Sequence, residues 1–154
     1  MLRADRPKAT LLGSLRAARS GVGSSCTLGV AMGPFTEGWT EKDVEAVIAK
    51  GDPSELLYVP IVVGMNAPDC KREWAEEICF KLANHPNFNV RGNAILGLGH
   101  IARTCRALNL ERAIPAISRA LADQDQYVRG HADDAASDLK IFLGVSVPGH
   151  ENNT

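Results

Sequence analysis

Between Thr36 and Phe142, apolar residues recur every three or four positions, the period of a helix with one buried face, and a cap residue precedes nearly every such run. Thr40-Glu41-Lys42-Asp43 is a capping box with Asp in place of Glu, and Val44, Val47 and Ile48 follow until Gly51 stops the first helix. Asp52-Pro53 opens a second segment, Ser54 to about Met65, in which Tyr58 to Val63 would also suit a buried strand and Pro60 interrupts any helix placed across it. Asp69 is expected to cap a third helix carrying Trp74, Ile78 and Leu82. The fourth begins near Asn87, with Val90, Ala94, Leu98, Ile101 and Cys105 on one stripe. Asn109 caps the fifth (Ile114, Ile117, Leu121). The sixth carries Val128, Ala132, Ala135, Leu139 and Phe142 before Gly144 and Pro148 end it. Connections of only a few residues force neighbours to lie antiparallel, so the pattern predicts an all-α domain.

Within it lies a repeat. Asn87-Phe88-Asn89-Val90-Arg91-Gly92-Asn93-Ala94 returns 38 residues later as Asp125-Gln126-Tyr127-Val128-Arg129-Gly130-His131-Ala132, and each period holds two helices. A lone helical hairpin cannot bury its apolar face, so hairpins stack, and Ala94 and Ala132 let the second helices approach closely. Arg91 and Arg129 fall in the first turn of their helices, where Asp125 or a preceding carboxylate can pair with them in a bridge between repeats. Through Ile114-Pro115-Ala116-Ile117 to Leu121-Ala122-Asp123, then Asp125-x-x-Val128-Arg129-x-x-Ala132, with Asn87-x-x-Val90-Arg91-x-x-Ala94 as a further copy, the chain resembles the HEAT-repeat family. The likeness is to the short bacterial HEAT-like repeats of phycobilisome lyases, and it covers residues 85–143 best. It implies a short right-handed α-solenoid of about three antiparallel hairpins over residues 36–145, whose second helices line a concave gripping face. These motifs identify a scaffold rather than a chemistry.

Charge changes the picture of the ends and of the partner. Residues 1–31 hold Arg3, Arg6, Lys8, Arg16 and Arg19 against Asp5, a balance of +4, while the remainder holds 12 basic and 17 acidic groups, a balance of −5. Residues 1–35, broken by glycines and without period, read as a disordered basic leader, with Met32 a plausible true start. Arg16 and Arg19 interrupt the apolar stretch a secretory signal would need. Residues 146–154 read as a flexible tail. An acidic body repels phosphate backbones, so nucleic acid is not the expected partner, and no apolar run reaches the length of a membrane span. Cys26, Cys70, Cys79 and Cys105 lack paired metal or disulfide spacing and are expected to be free thiols in a reducing cytoplasm.

Taking the apolar stripe away from the fourth helix leaves Asn93, Leu96, His100 and Arg103 as a ridge, and a shift of 38 sets His131, Asp134 and Asp138 beside it. These seven residues form the expected partner-binding patch. The register sets His100 opposite Asp138, a pairing used in acid–base catalysis, but no nucleophile, phosphate loop or G-x-S-x-G motif accompanies it. No catalytic residues, cofactor or metal are assigned. HEAT-like deoxyhypusine hydroxylases hold iron with repeated His-Glu pairs, whereas here the pairs are His85-Pro86, His100-Ile101 and His131-Ala132, with only His150-Glu151 matching. The expected function is a non-enzymatic protein-binding module for a partner with a basic surface. An immunity-type inhibitor of a basic toxin is a narrower version, and a metal- or cofactor-dependent enzyme is the alternative class.

Overall fold

The computed structural model describes residues 32–69 and 71–150. The expected disorder of the leader through residue 31, the states of Cys26 and Cys70, and residues 151–154 lie outside the described residues. Within them the chain is helical, with one isolated bridge between Met32 and Phe35 and no strand.

The first helix, α1 (Glu41–Lys50), starts on the Thr40 capping box, where the Thr40 amide donates to the Asp43 carboxylate at 2.7 Å, and ends at Gly51 in the left-handed conformation. The second predicted segment is two short helices, α2 (Pro53–Leu56) and α3 (Val59–Met65), and the strand alternative is excluded. The break falls at Leu57–Tyr58. Pro60 thereby occupies the first turn of α3, where its missing amide would have no helical partner in any case. Asp69 does not cap the next helix: its amide closes a turn on the Asn66 carbonyl, and α4 (Arg72–Leu82) starts after Lys71, which sits at φ 62°. Asn87, Asn109 and Asp125 cap α5 (Phe88–Cys105), α6 (Leu110–Leu121) and α7 (Gln126–Leu143) through side-chain acceptors, as their positions predict.

Helix α5 is the centre of the molecule, packed against α3, α4 and α7. Helices α3, α5 and α7 lie side by side and point the same way. Phe88 and Tyr127, near the starts of α5 and α7, stack edge to face, and Arg106, just past the end of α5, lies over Phe142 near the end of α7. Small residues make this row close. A Cβ on Gly97 of α5 would lie 2.8 Å from the Pro60 carbonyl oxygen of α3, and one on Gly99 would lie 3.0 Å from the Ala135 Cα of α7. On the other side of the row α4 pairs with α5 and α6 with α7. Ala94 and Ala132 are fully buried, as expected of tight helix contacts.

Between successive pairs, Arg91 joins the turns as the repeat suggests, but its partner is Asp123. Nε and Nη2 donate to the two carboxylate oxygens at 2.8 and 3.0 Å, and Nη1 donates to the His85 and Pro86 carbonyls. Arg129 donates to the Asp123 carbonyl. Asp125, proposed as the ion-pair acceptor, caps α7 instead, because its carboxylate lies two residues before the Tyr127 amide that it accepts from. The domain limits also move. Phe35, assigned to the leader, is buried, and the predicted tail packs on the body: Val147 is buried, Ser118 donates to the Pro148 carbonyl, and His150 reaches Asp133 and Ser137.

Candidate functional site

The row α3–α5–α7 presents one face away from α4 and α6, and the expected patch lies along it. Its members are placed by helix period, because the buried stripe of each helix (Val90, Ala94, Leu98, Ile101 in α5; Val128, Ala132, Ala135, Leu139 in α7) turns the remaining positions outward. Leu96, His100 and Arg103 of α5 are half-buried, as are His131 and Asp138 of α7, and Asp134 is exposed.

Asn93 departs from the expectation of an exposed ridge: it is 6% exposed. An α5 flanked by helices on both sides has no free ridge of the kind an edge helix has, so this position lies in the seam. Its amide nitrogen donates to the Leu57 carbonyl at 2.7 Å, and its amide oxygen accepts from the Tyr127 hydroxyl at 2.6 Å. Asn93 is therefore a buried linker satisfying two neighbours.

His100 and Asp138 do come to the same place, but not into contact through a hydrogen bond. Arg103 stands between them. Its Nη2 donates to His100 Nδ1 at 2.8 Å and its Nη1 lies 3.6 Å from an Asp138 oxygen. Accepting at Nδ1 fixes the neutral ring with its proton on Nε2. Burial holds the His100 imidazole at a pKa of about 4, and the positive charges of Arg103 and His131 press the same way. His131 is lowered too, by burial, with Asp134 opposing. Burial raises Asp138, Arg103 lowers it, and Asp134 adds a smaller upward push. The face thus carries two neutral imidazoles at pH 7, one internally paired Arg–Asp couple and the exposed Asp134, which has no hydrogen-bond or ion-pair partner among the described residues.

Tyr127 is the member that the patch lacked. Its ring lies 4.3 Å from the His131 ring and meets Phe88 edge-on, and 37% of the residue is exposed. Its signal was the aromatic shared by both copies of the repeat. With Gln126, Gly130, His131, Asp133 and Asp134 it lines a shallow open depression at the free side of α7. Among the described residues no three His, Cys, Asp or Glu side chains gather as metal ligands. No helix of the described residues is long and apolar enough to cross a membrane. Cys79 is buried and Cys105 half-buried, both free, and burial raises both thiols above their ordinary pKa.

Neither protein-family models, nor curated proteins, nor solved structures yield a match to this chain.

Proposed function

We propose that the chain is a HEAT-like binding module, a short stack of helical hairpins that grips another protein with the face of α3, α5 and α7. The stacking reading is supported by the parallel row of second helices, in which Asn93 links to chain positions 36 residues before it and 34 after it, close to the 38-residue repeat. The observation that carries the binding reading is the composition of the exposed face. Asp134 is exposed and unpaired, Asp133 is exposed beside it, and Tyr127 offers an amphipathic ring in the same depression. Asp133 already faces His150, so the carboxylate left to a partner is Asp134, and beside a part-exposed aromatic it suits a lysine- or arginine-bearing partner through ion pairing at the rim and contact with the open part of the ring. The half-buried Leu96 gives the centre of the face an apolar contact.

The test is charge reversal at Asp134, an exposed side chain with no hydrogen bond or ion pair among the described residues. The full chain and its Asp134→Lys variant are used as baits on native host extract, with circular dichroism as the control for helix content. A partner of basic surface should be retained by the parent at low salt and lost from the variant at unchanged helicity. Identical capture by both proteins refutes the assignment of this face.

A further inference from the structure

Away from that face, the turn after α4 and the turn after α6 run side by side, clamped by Arg91 and Asp123. Between them lies an open groove of about 550 Å3. Its floor is apolar: Ile95, Ala116 and Ala120 are buried, and Ala83 is half-buried. The repeat explains the space. The residues 38 positions before Ala116 and Ala120 are Ile78 and Leu82, both buried in the core, so the later copy has two alanines where the earlier has large side chains.

The chemistry of the rim follows from which polar groups are already engaged. Arg91 is fully used, by Asp123 and by the His85 and Pro86 carbonyls. Asp123 is used as well: one oxygen accepts from Arg91 Nε, the other from Arg91 Nη2 and the Asp125 amide. Its charge is compensated in place by Arg91, and three of its roughly four acceptor positions are taken. His85 accepts the Asn87 amide at Nδ1, 3.0 Å away, so its neutral ring carries the proton on Nε2, which has no partner among the described residues. Among the described residues the Arg119 side chain has no hydrogen-bond or ion-pair partner. The remaining lining side chains, Asn84 and Gln124, are uncharged amides that can give or take a hydrogen bond. The groove therefore has an apolar floor, one uncompensated guanidinium and one free imidazole N–H. It has no unsatisfied anion.

We propose that this groove binds a small organic carboxylate, its apolar body on the Ala116–Ala120 floor and its carboxylate on Arg119, with His85 Nε2–H as a second donor. The volume lies within the range of small-ligand sites, and a guanidinium is the side chain best matched to a carboxylate, which it can hold through two parallel hydrogen bonds. The site is separate from the protein-gripping face, and neither proposal depends on the other.

Titration of the 15N-labelled full chain with 4-phenylbutyrate, and in parallel with the neutral 4-phenylbutanamide, decides the matter. The acid should shift the amides of Asn84, His85 and Gln124 saturably, and the amide should bind at least about tenfold more weakly. Arg119→Gln should weaken the acid at least about tenfold while leaving the rest of the spectrum in place, since Arg119 is exposed and unpaired. Equal affinity for acid and amide, indifference to Arg119→Gln, shifts confined to other surfaces, or no saturation by about 20 mM each overturn the proposal. So does a peptide with a C-terminal phenylalanine binding about tenfold more tightly than the free acid, because the occupant would then be a chain terminus.

Discussion

Gly92 and Gly130 hold equivalent places, each the fifth residue of its helix and 38 residues apart in the repeat, yet replacing them by alanine should have opposite effects. Both substitutions gain the same helix-propensity term, about 1 kcal/mol in favour of alanine. They differ in what the new methyl meets. At Gly130 nothing lies within 4 Å, so the propensity term stands alone and Gly130→Ala should stabilise by about 0.5–1 kcal/mol. At Gly92 the methyl would lie 2.9 Å from two carbons of the Tyr127 ring and 3.3 Å from a His131 carbon, where carbon atoms at their optimum sit about 3.5–4.0 Å apart. The ring cannot simply swing away, because its hydroxyl is bonded to the buried Asn93 and it packs against Phe88 and His131. Overpacking of this kind costs about 1–3 kcal/mol, so Gly92→Ala should be neutral to destabilising by about 2 kcal/mol. The difference between the two variants, about 1–3 kcal/mol, isolates the close approach of α7 to α5, since the propensity gain cancels. Urea unfolding followed at 222 nm measures it, with an unchanged slope confirming that midpoints report stability. If the two variants prove equally stable, α7 does not press on Gly92 and the packing of the row is misassigned.

Two further outcomes follow from the same packing. Ala132→Leu, at a fully buried position, should cost about 1–3 kcal/mol in the same unfolding assay. His100 should titrate near pH 4 by NMR rather than near 6.5. Its folded pKa lies below the unfolded value, so the unfolded chain takes up the proton first. The contribution of His100 to stability is complete above about pH 6.5 and declines as pH falls from there toward 4, and a His100→Gln variant should lose that part of the pH dependence.

Helix positions and caps were legible because they depend on local chemistry. Asn87, Asn109 and Asp125 each satisfy amides within three residues of themselves, and Asp43 satisfies the amide of Thr40. The stripe of α5 was legible because its period is uninterrupted. What escaped the sequence depends on how many neighbours a helix has. An amphipathic pattern predicts one buried side, but α5 is covered on three, so Asn93 is enclosed although its position in the period points away from the main stripe. The choice between Asp125 and a preceding carboxylate was left open by the sequence, because Asp123 precedes the repeat motif by two residues and only the packed turns bring it to Arg91. The limits of the body were misplaced for a similar reason. Phe35 and Val147 are single apolar residues without a period, and only three-dimensional contact makes them core.

The Asn93 side chain has a mechanical consequence. Arrays of short repeats ordinarily fray from their ends, each unit answering only to its nearest neighbour. Here one amide holds the backbone ahead of α3 with one hand and the first turn of α7 with the other, so three neighbouring helices share a single rivet. Tyr127 and Leu57, 70 residues apart in sequence, are thereby joined through one side chain by two short bonds, and parting either helix from α5 strips a buried amide of half its partners.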